Sequence, residues 1–123
     1  MNRNSFENRL LEFVSRVIRL TKGIPMSQEK NIITNQIVRS SISVALNYAE
    51  SGSAESRKDF IHKLRISLKE MRETHMALKI IIGSFEIKDI EEMDFLLKES
   101  NEIISILVSS INTATKNMTT RIS

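Results

Sequence analysis

The chain has no cysteine and no tryptophan, and only one proline, three glycines and one tyrosine among its 123 residues. Without cysteine there is no disulfide framework, no thiolate nucleophile and no sulfur ligand for a metal. So few breakers leave little material for turns, whereas sandwiches and barrels interrupt their chains often. No apolar run approaches the roughly 18 residues of a membrane span. No internal repeat, linker or low-complexity tract divides the chain. The charges at Arg3, Glu7, Arg9 and Glu12 spoil the apolar stretch that a secretory leader needs. Together these absences predict one all-α domain over residues 1–123, made of a few long helices, away from membranes and in the cytoplasm.

Catalytic signatures are missing too. There is no glycine-rich phosphate loop, no HExxH and no Ser/His/Asp order. The two histidines, His62 and His75, stand 13 residues apart on different faces of one predicted helix, so they do not share a metal. No Glu-x-x-His pair exists to build the di-metal site that some helical bundles carry. The expectation is a non-enzymatic protein with no cofactor and no metal.

Four helices are predicted, over about 5–22, 28–50, 54–83 and 90–116, forming an up-down antiparallel four-helix bundle. In the first, Phe6, Leu10, Phe13, Val17 and Leu20 repeat every three or four residues. Gly23 and Pro25 stop it, and Ser27 caps the next. Ser51-Gly52-Ser53 breaks the second from the third, with Ser53 as the expected N-cap. Gly83 is the expected C-terminal cap of the third. Asp89 with Glu92 opens the fourth as a capping-box-like pair. The fourth carries Met93, Leu97, Ser100, Ile104, Leu107, Ile111, Ala114 and Met118 as its seam, and its tail is expected to fray.

The third helix carries the most information. Phe60, Leu64, Leu68, Met71, His75, Leu78 and Ile82 fall on one arc, the expected buried stripe. Lys58, His62, Arg65, Lys69, Arg72 and Lys79 form a second, basic stripe that spans roughly 30 Å at 1.5 Å per residue. It reads either as a solvated face or as a strip for phosphates or an acidic partner, with Arg16 and Arg19 of the first helix adjoining. Charge is uneven along the chain. Residues 1–85 hold 14 Lys/Arg against 8 Asp/Glu, and residues 86–123 hold 4 against 7. Aromatics are few, so any nucleic-acid contact should be to the backbone, poor in sequence preference and steeply salt-dependent.

The second helix has two apolar stripes, where one suffices for a monomeric bundle. Ile33, Ile37, Ser40, Val44 and Asn47 mark one. Val38, Ile42, Ala45, Leu46 and Ala49 mark the other, the expected face for a partner subunit, with small residues such as Ser40 and Ser41 allowing close approach. Arg39, the lone charge between Asn31 and Ala49, should pair with a carboxylate at a helix or subunit boundary. Glu50 sits where the helix dipole disfavours it and should find a cation, with Arg57 as the expected partner. Asn47 is expected to set register through a hydrogen bond.

The stretch Gln36 to Leu78 resembles the small bacterial four-helix bundle proteins whose founding members are encoded in intervening sequences of large-subunit ribosomal RNA genes, and which often carry a ribosomal-protein label. The motif Q-x-x-R-[SA]-[SA] reads here Gln36-Ile37-Val38-Arg39-Ser40-Ser41, followed by Ser43 and by Asn47-Tyr48-Ala49-Glu50. A second block reads Ser56-Arg57-Lys58-Asp59-Phe60, then Leu64, Ile66, Ser67, Leu68, Lys69 and Glu70. Ala45 stands where many members have proline, and Ser51 where they have glycine. This implies a straighter second helix and a turn shifted onto Gly52. The family is similar to the accessory protein of diversity-generating retroelements. The resemblance therefore implies a homo-oligomeric ring, as in that relative's pentamer, with RNA or DNA and a reverse transcriptase-like protein as partners. The reading that follows is a homo-oligomeric nucleic-acid-binding accessory protein. The alternative is a structural or protein-interaction module without nucleic-acid affinity.

Overall fold

The computed structural model describes residues 2–122, with side chains described through residue 118. It comprises four helices, α1 (Arg3–Lys22), α2 (Gln28–Ser51), α3 (Arg57–Ser84) and α4 (Ile90–Ile122), with no strand among the described residues. Each helix packs on the two that flank it in the cyclic order α1, α2, α3, α4, and the backbones of the diagonal pairs do not come close among the described residues. Short connections make neighbours antiparallel, the up-down arrangement. No helix among the described residues is long and apolar enough to cross a membrane.

Local chemistry explains the helix starts. Asn2, Ser27, Ser56 and Asp89 each accept a hydrogen bond from a backbone amide in the first turn, at 2.8–3.0 Å. Two expectations change here. The cap of α3 is Ser56 rather than Ser53, because the chain uses residues 52–56 to turn before the helix begins. Gly83 lies within the last turn of α3, and the extended residue Phe85 closes the helix. Gly52 does end α2, its amide reaching the carbonyls of Ala49 and Glu50. α4 runs on to Ile122, six residues past the expected end, since Ala114 and Met118 continue its apolar side.

In α1 the buried residues Phe6, Leu10, Phe13, Val17 and Leu20 are those the spacing predicts. In α3 the phase differs. Ile61, Leu64, Ser67, Met71, Thr74, Leu78 and Ile81 are buried, while Phe60, Leu68 and His75 are half-buried on the flank and Ile82 is exposed. The true seam thus includes two hydroxyl residues, Ser67 and Thr74, in place of their neighbours Leu68 and His75. α4 turns likewise, burying Leu96 and Ile103 rather than Leu97 and Ile104, which stay partly covered.

The hydroxyls account for this phase. Ser40 and Thr74, both fully buried, meet across α2 and α3 at 2.7 Å. Ser40 Oγ also lies 3.2 Å from the Ile37 carbonyl, and Thr74 Oγ1 lies 2.9 Å from that of Glu70. Two protons serve three contacts, so one hydroxyl donates across the interface and the other to its own helix. Ser67 donates to the Val44 carbonyl at 2.9 Å. Such small side chains let the two backbones approach closely, and α2–α3 is the most extensive interface in the bundle. Ser40, on the first stripe, and Ser41 are buried within the protein's own fold, and the close helix approach expected of small residues occurs between α2 and α3.

At the far end of α2, Arg3 donates to the Tyr48 carbonyl at 3.1 Å and to Ser51 Oγ at 2.9 Å, and its guanidinium lies 4.5 Å from the Tyr48 ring centroid. A cation here complements the C-terminal dipole of α2. A Cβ on Gly52 would come within 2.9 Å of the Arg3 guanidinium, so glycine makes room for this contact.

Replacing Ser40 by Leu places a large side chain where the helices touch through hydroxyls. We expect a loss of about 1–3 kcal/mol. Thr74→Val keeps the volume and removes one hydrogen-bonding partner, so a loss of about 0.5–1.5 kcal/mol is expected. Urea unfolding midpoints check both. Equal, negligible effects would show that the hydroxyl contact does not hold α2 on α3.

Candidate nucleic-acid interface

The outer face of α3 follows from the packing of its inner one. With Leu64, Met71 and Leu78 fully buried, residues about half a turn away must face solvent. Lys58, His62, Arg65, Lys69, Arg72 and Lys79 are all exposed. None of the six makes an ion pair with any of the described residues. The five Lys and Arg residues form one cationic strip along the helix, with His62 among them.

The sequence of α4 explains why the charges in the first half of α3 meet no carboxylate from that helix. Every acidic residue from 86 onward lies in 86–102, and none follows Glu102. The acidic part faces α1. Arg9 donates two hydrogen bonds to Glu99, at 2.7 and 2.6 Å, and its guanidinium also lies 2.9 Å from Glu102. Arg16 donates two to Glu92, both at 2.7 Å, with its guanidinium 3.6 Å from the Phe95 centroid. These forked contacts hold Glu92 below its ordinary pKa, chiefly through the Arg16 hydrogen bonds. They also raise Arg9 and Arg16 further above theirs, the hydrogen bonds to Glu99 and Glu92 being the largest causes. The carboxylate of Glu92 is thus spent on α1 rather than returning to cap α4.

The expectation that Arg16 and Arg19 adjoin the strip is therefore corrected. α1 lies diagonally across the bundle from α3, Arg16 is clamped to α4, and Arg19 faces its own helix's Glu12 at 3.6 Å. Arg39 does pair with carboxylates, reaching Glu73 at 3.0 Å and Glu70 at 3.3 Å on α3. Glu50 approaches Lys63 at 3.5 Å instead of Arg57, whose guanidinium lies 5.7 Å from the Phe60 ring centroid. Asn47 donates to Ser43 of its own helix, at 2.9 Å to the carbonyl and 3.1 Å to the hydroxyl, so it does not set register across helices.

The second stripe of α2 divides. Val38 and Ala45 pack partly against the core, whereas Ile42, Leu46 and Ala49 are exposed. Leu46 is 59% exposed, and Ile32, farther along the helix, is 66% exposed. Sequence reasoning missed Tyr48 and Ser51, which are buried beside Arg3, because their burial depends on a contact from α1, more than forty residues away.

His75 is half-buried, with Nδ1 2.6 Å from Ser100 Oγ on α4. Ser100 Oγ also lies 3.0 Å from the Leu97 carbonyl, so its one proton goes either there, with Nδ1–H donating to Ser100, or to Nδ1 itself. Burial, and secondarily the charge of Lys79, lowers the pKa of His75.

These features define an all-helical, four-helix protein with one unneutralised cationic face and one exposed apolar stripe. The model of the 23S rRNA-intervening sequence protein family matches residues 5–109, and the chain belongs to that family. The chain is similar to a protein of unknown function from the S23 ribosomal protein family of Bacteroides thetaiotaomicron, known from its crystal structure. The two share 36% identity and superpose with a TM-score of 0.80, over 91% of this chain and 99% of that one. No protein of curated description matches the chain.

The depressed pKa of His75 gives a pH prediction. The unfolded chain takes up a proton as pH falls below the ordinary value of 6.5, and the folded one resists until lower pH. Stability should therefore be complete above pH 6.5 and decline on acidification through the folded pKa. His75→Gln, which keeps a partner for Ser100, should flatten that decline in urea midpoints followed with pH. An unaltered pH profile would show that His75 does not titrate against folding.

Proposed function

We propose that the protein is a non-enzymatic, self-associating accessory protein that binds the phosphate backbone of RNA or DNA along α3. The observation that carries this reading is the cationic strip itself. Six side chains are exposed in one line, free of ion pairs among the described residues, and those in the first half of α3 lie beside a length of α4 that supplies no carboxylate. The same fold neutralises Arg9 and Arg16 on α1 with forked carboxylate contacts, so the lack of partners on α3 reflects where the acids are placed. A helix face of this kind tracks phosphates by charge and releases counterions on binding. The family's name refers to 23S rRNA and that of the solved relative to a ribosomal protein family, so RNA is the first nucleic acid to test.

The exposed apolar residues of α2 support self-association. Ile32, Ile42 and Leu46 present apolar surface that a monomer would leave in water. A ring, with five copies as the resemblance implies, would repeat the α3 strip around its axis and gain avidity from weak single contacts.

Labelled RNA followed by fluorescence anisotropy should bind at low salt and weaken steeply toward physiological salt. The double charge reversal Lys69→Glu and Arg72→Glu should lower affinity more than about tenfold with unchanged thermal unfolding, since each lost phosphate contact also lowers the salt slope by about one. Retained binding would overturn the strip as the binding surface. Binding to neither RNA nor DNA, with capture of an acidic protein instead, would favour the interaction-module reading.

Self-association is tested separately. Ile42→Asp with Leu46→Asp should convert the assembly to folded monomers by light scattering, because two desolvated carboxylates cannot be accommodated in an apolar interface. An unchanged mass would place the interface elsewhere.

A further inference from the structure

The outward face of α3 is not purely basic. Met76 falls within the cationic strip, between Arg72 and Lys79, and is 56% exposed. Leu68 lies half-buried two turns before it, and Ile111 reaches the same place from α4. With Arg65, Lys69, Arg72 and Glu73 they line an open groove of about 590 Å³. Its rim is net positive. Arg65, Lys69 and Arg72 are free of ion pairs among the described residues, whereas the one acid, Glu73, is held by Arg39 at 3.0 Å.

Tracking phosphates needs cations and nothing more, so the apolar floor calls for its own explanation. A duplex keeps its base faces stacked and offers this convex helix phosphates, sugars and base edges but no π face to cover Met76 and Leu68. A single strand can turn an unpaired base toward the floor while its flanking phosphates stay on the rim. The three cations step along ~10 Å of helix axis, a reach that spans the phosphates on either side of one nucleotide. The thioether of Met76 is soft and polarisable and makes favourable contact with π faces, and arginine guanidinium groups stack on bases in the same way. The groove's size suits a single nucleotide rather than an extended stack.

We propose that this groove takes one unpaired base of a single-stranded nucleic acid, over Met76, Leu68 and Ile111, with the adjacent phosphates on Arg65, Lys69 and Arg72. The proposal rests on the backbone-binding reading above and adds a preference for single strands over duplexes. The contact has little sequence preference, since every base has a π face and the floor offers no hydrogen-bonding code.

The test uses the full chain, a short single-stranded RNA and the duplex of equal length, each titrated by anisotropy across a salt series. Wild type should bind the single strand more tightly than the duplex at every salt concentration. Met76→Ser, at an exposed position whose change leaves the core intact, should lower single-strand affinity by about fivefold or more, corresponding to one lost base contact. It should leave the salt slope unchanged, because no phosphate contact is lost. Duplex affinity should not move. Lys69→Glu, by contrast, should weaken both ligands and flatten both slopes. Equal affinity for single strand and duplex, or an unaffected Met76→Ser, would overturn the base groove and leave the backbone-binding reading standing. Binding of neither ligand at low salt would overturn both, as would binding only to an acidic peptide or to anionic vesicles.

Discussion

The contact between Ser40 and Thr74, 2.7 Å across the α2–α3 interface, governs the rotation of α3 about its axis, and most of the molecule's surface follows from that rotation. Small hydroxyl side chains allow two helices to lie close, but only if each hydroxyl finds an acceptor in a region without water. Here the acceptors are the carbonyls of Ile37, Glu70 and Val44 and the hydroxyls themselves. Once Ser67 and Thr74 point inward, Leu68 and His75 move to the flank, and the basic residues occupy the outward arc. The face that solvent sees is the geometric complement of a polar seam.

Charge placement on α4 is the second constraint. Its carboxylates are confined to the N-terminal part of the helix, where Glu92 and Glu99 bridge to Arg16 and Arg9. The α1–α4 interface is the slightest of the four. Long side chains with forked hydrogen bonds span it where close helix packing does not. These pairs are partly shielded from water, so their geometry fixes the relative position of the two helices better than solvent-exposed pairs would. Because antiparallel packing sets the acid-free part of α4 beside the first half of α3, the cations there have no carboxylate to meet. Neutralisation on one side of the bundle and its lack on the other arise from the same division of α4.

The apolar stripe of α2 stands apart from both. Ile42 and Leu46 lie on the outer surface, away from the hydroxyl seam, and Arg39 crosses beside them to reach Glu70 and Glu73. That crossing ties α2 to the acidic flank of α3 and keeps Glu73 from opposing the charges of the strip. Core packing, ion pairing and the proposed contact surfaces thus share residues rather than occupying separate parts of the protein.

Much was legible in the sequence. The scarcity of glycine and proline, with three-to-four-residue spacing sustained in every segment, was enough for four helices. The caps Ser27 and Asp89, the turn at Gly52, and the basic stripe at Lys58 to Lys79 were readable because they depend on neighbours along the chain. What was not legible depends on neighbours in space. Adjacent candidates such as Leu68 and Ser67, or Ile104 and Ile103, differ by a 100° rotation that periodicity alone leaves open. In α3 an apolar preference chose Leu68 over Ser67, because a buried serine is favourable only when a carbonyl on another helix faces it, as that of Val44 does here. Likewise Arg16 and Arg19 looked continuous with the strip until the cyclic order of the helices set α1 diagonally opposite α3. Local spacing determined which residues form helices and which share a face. Only the packing of one helix on another decided which face turns inward, since burial of each polar group depends on a partner that the chain brings from far away.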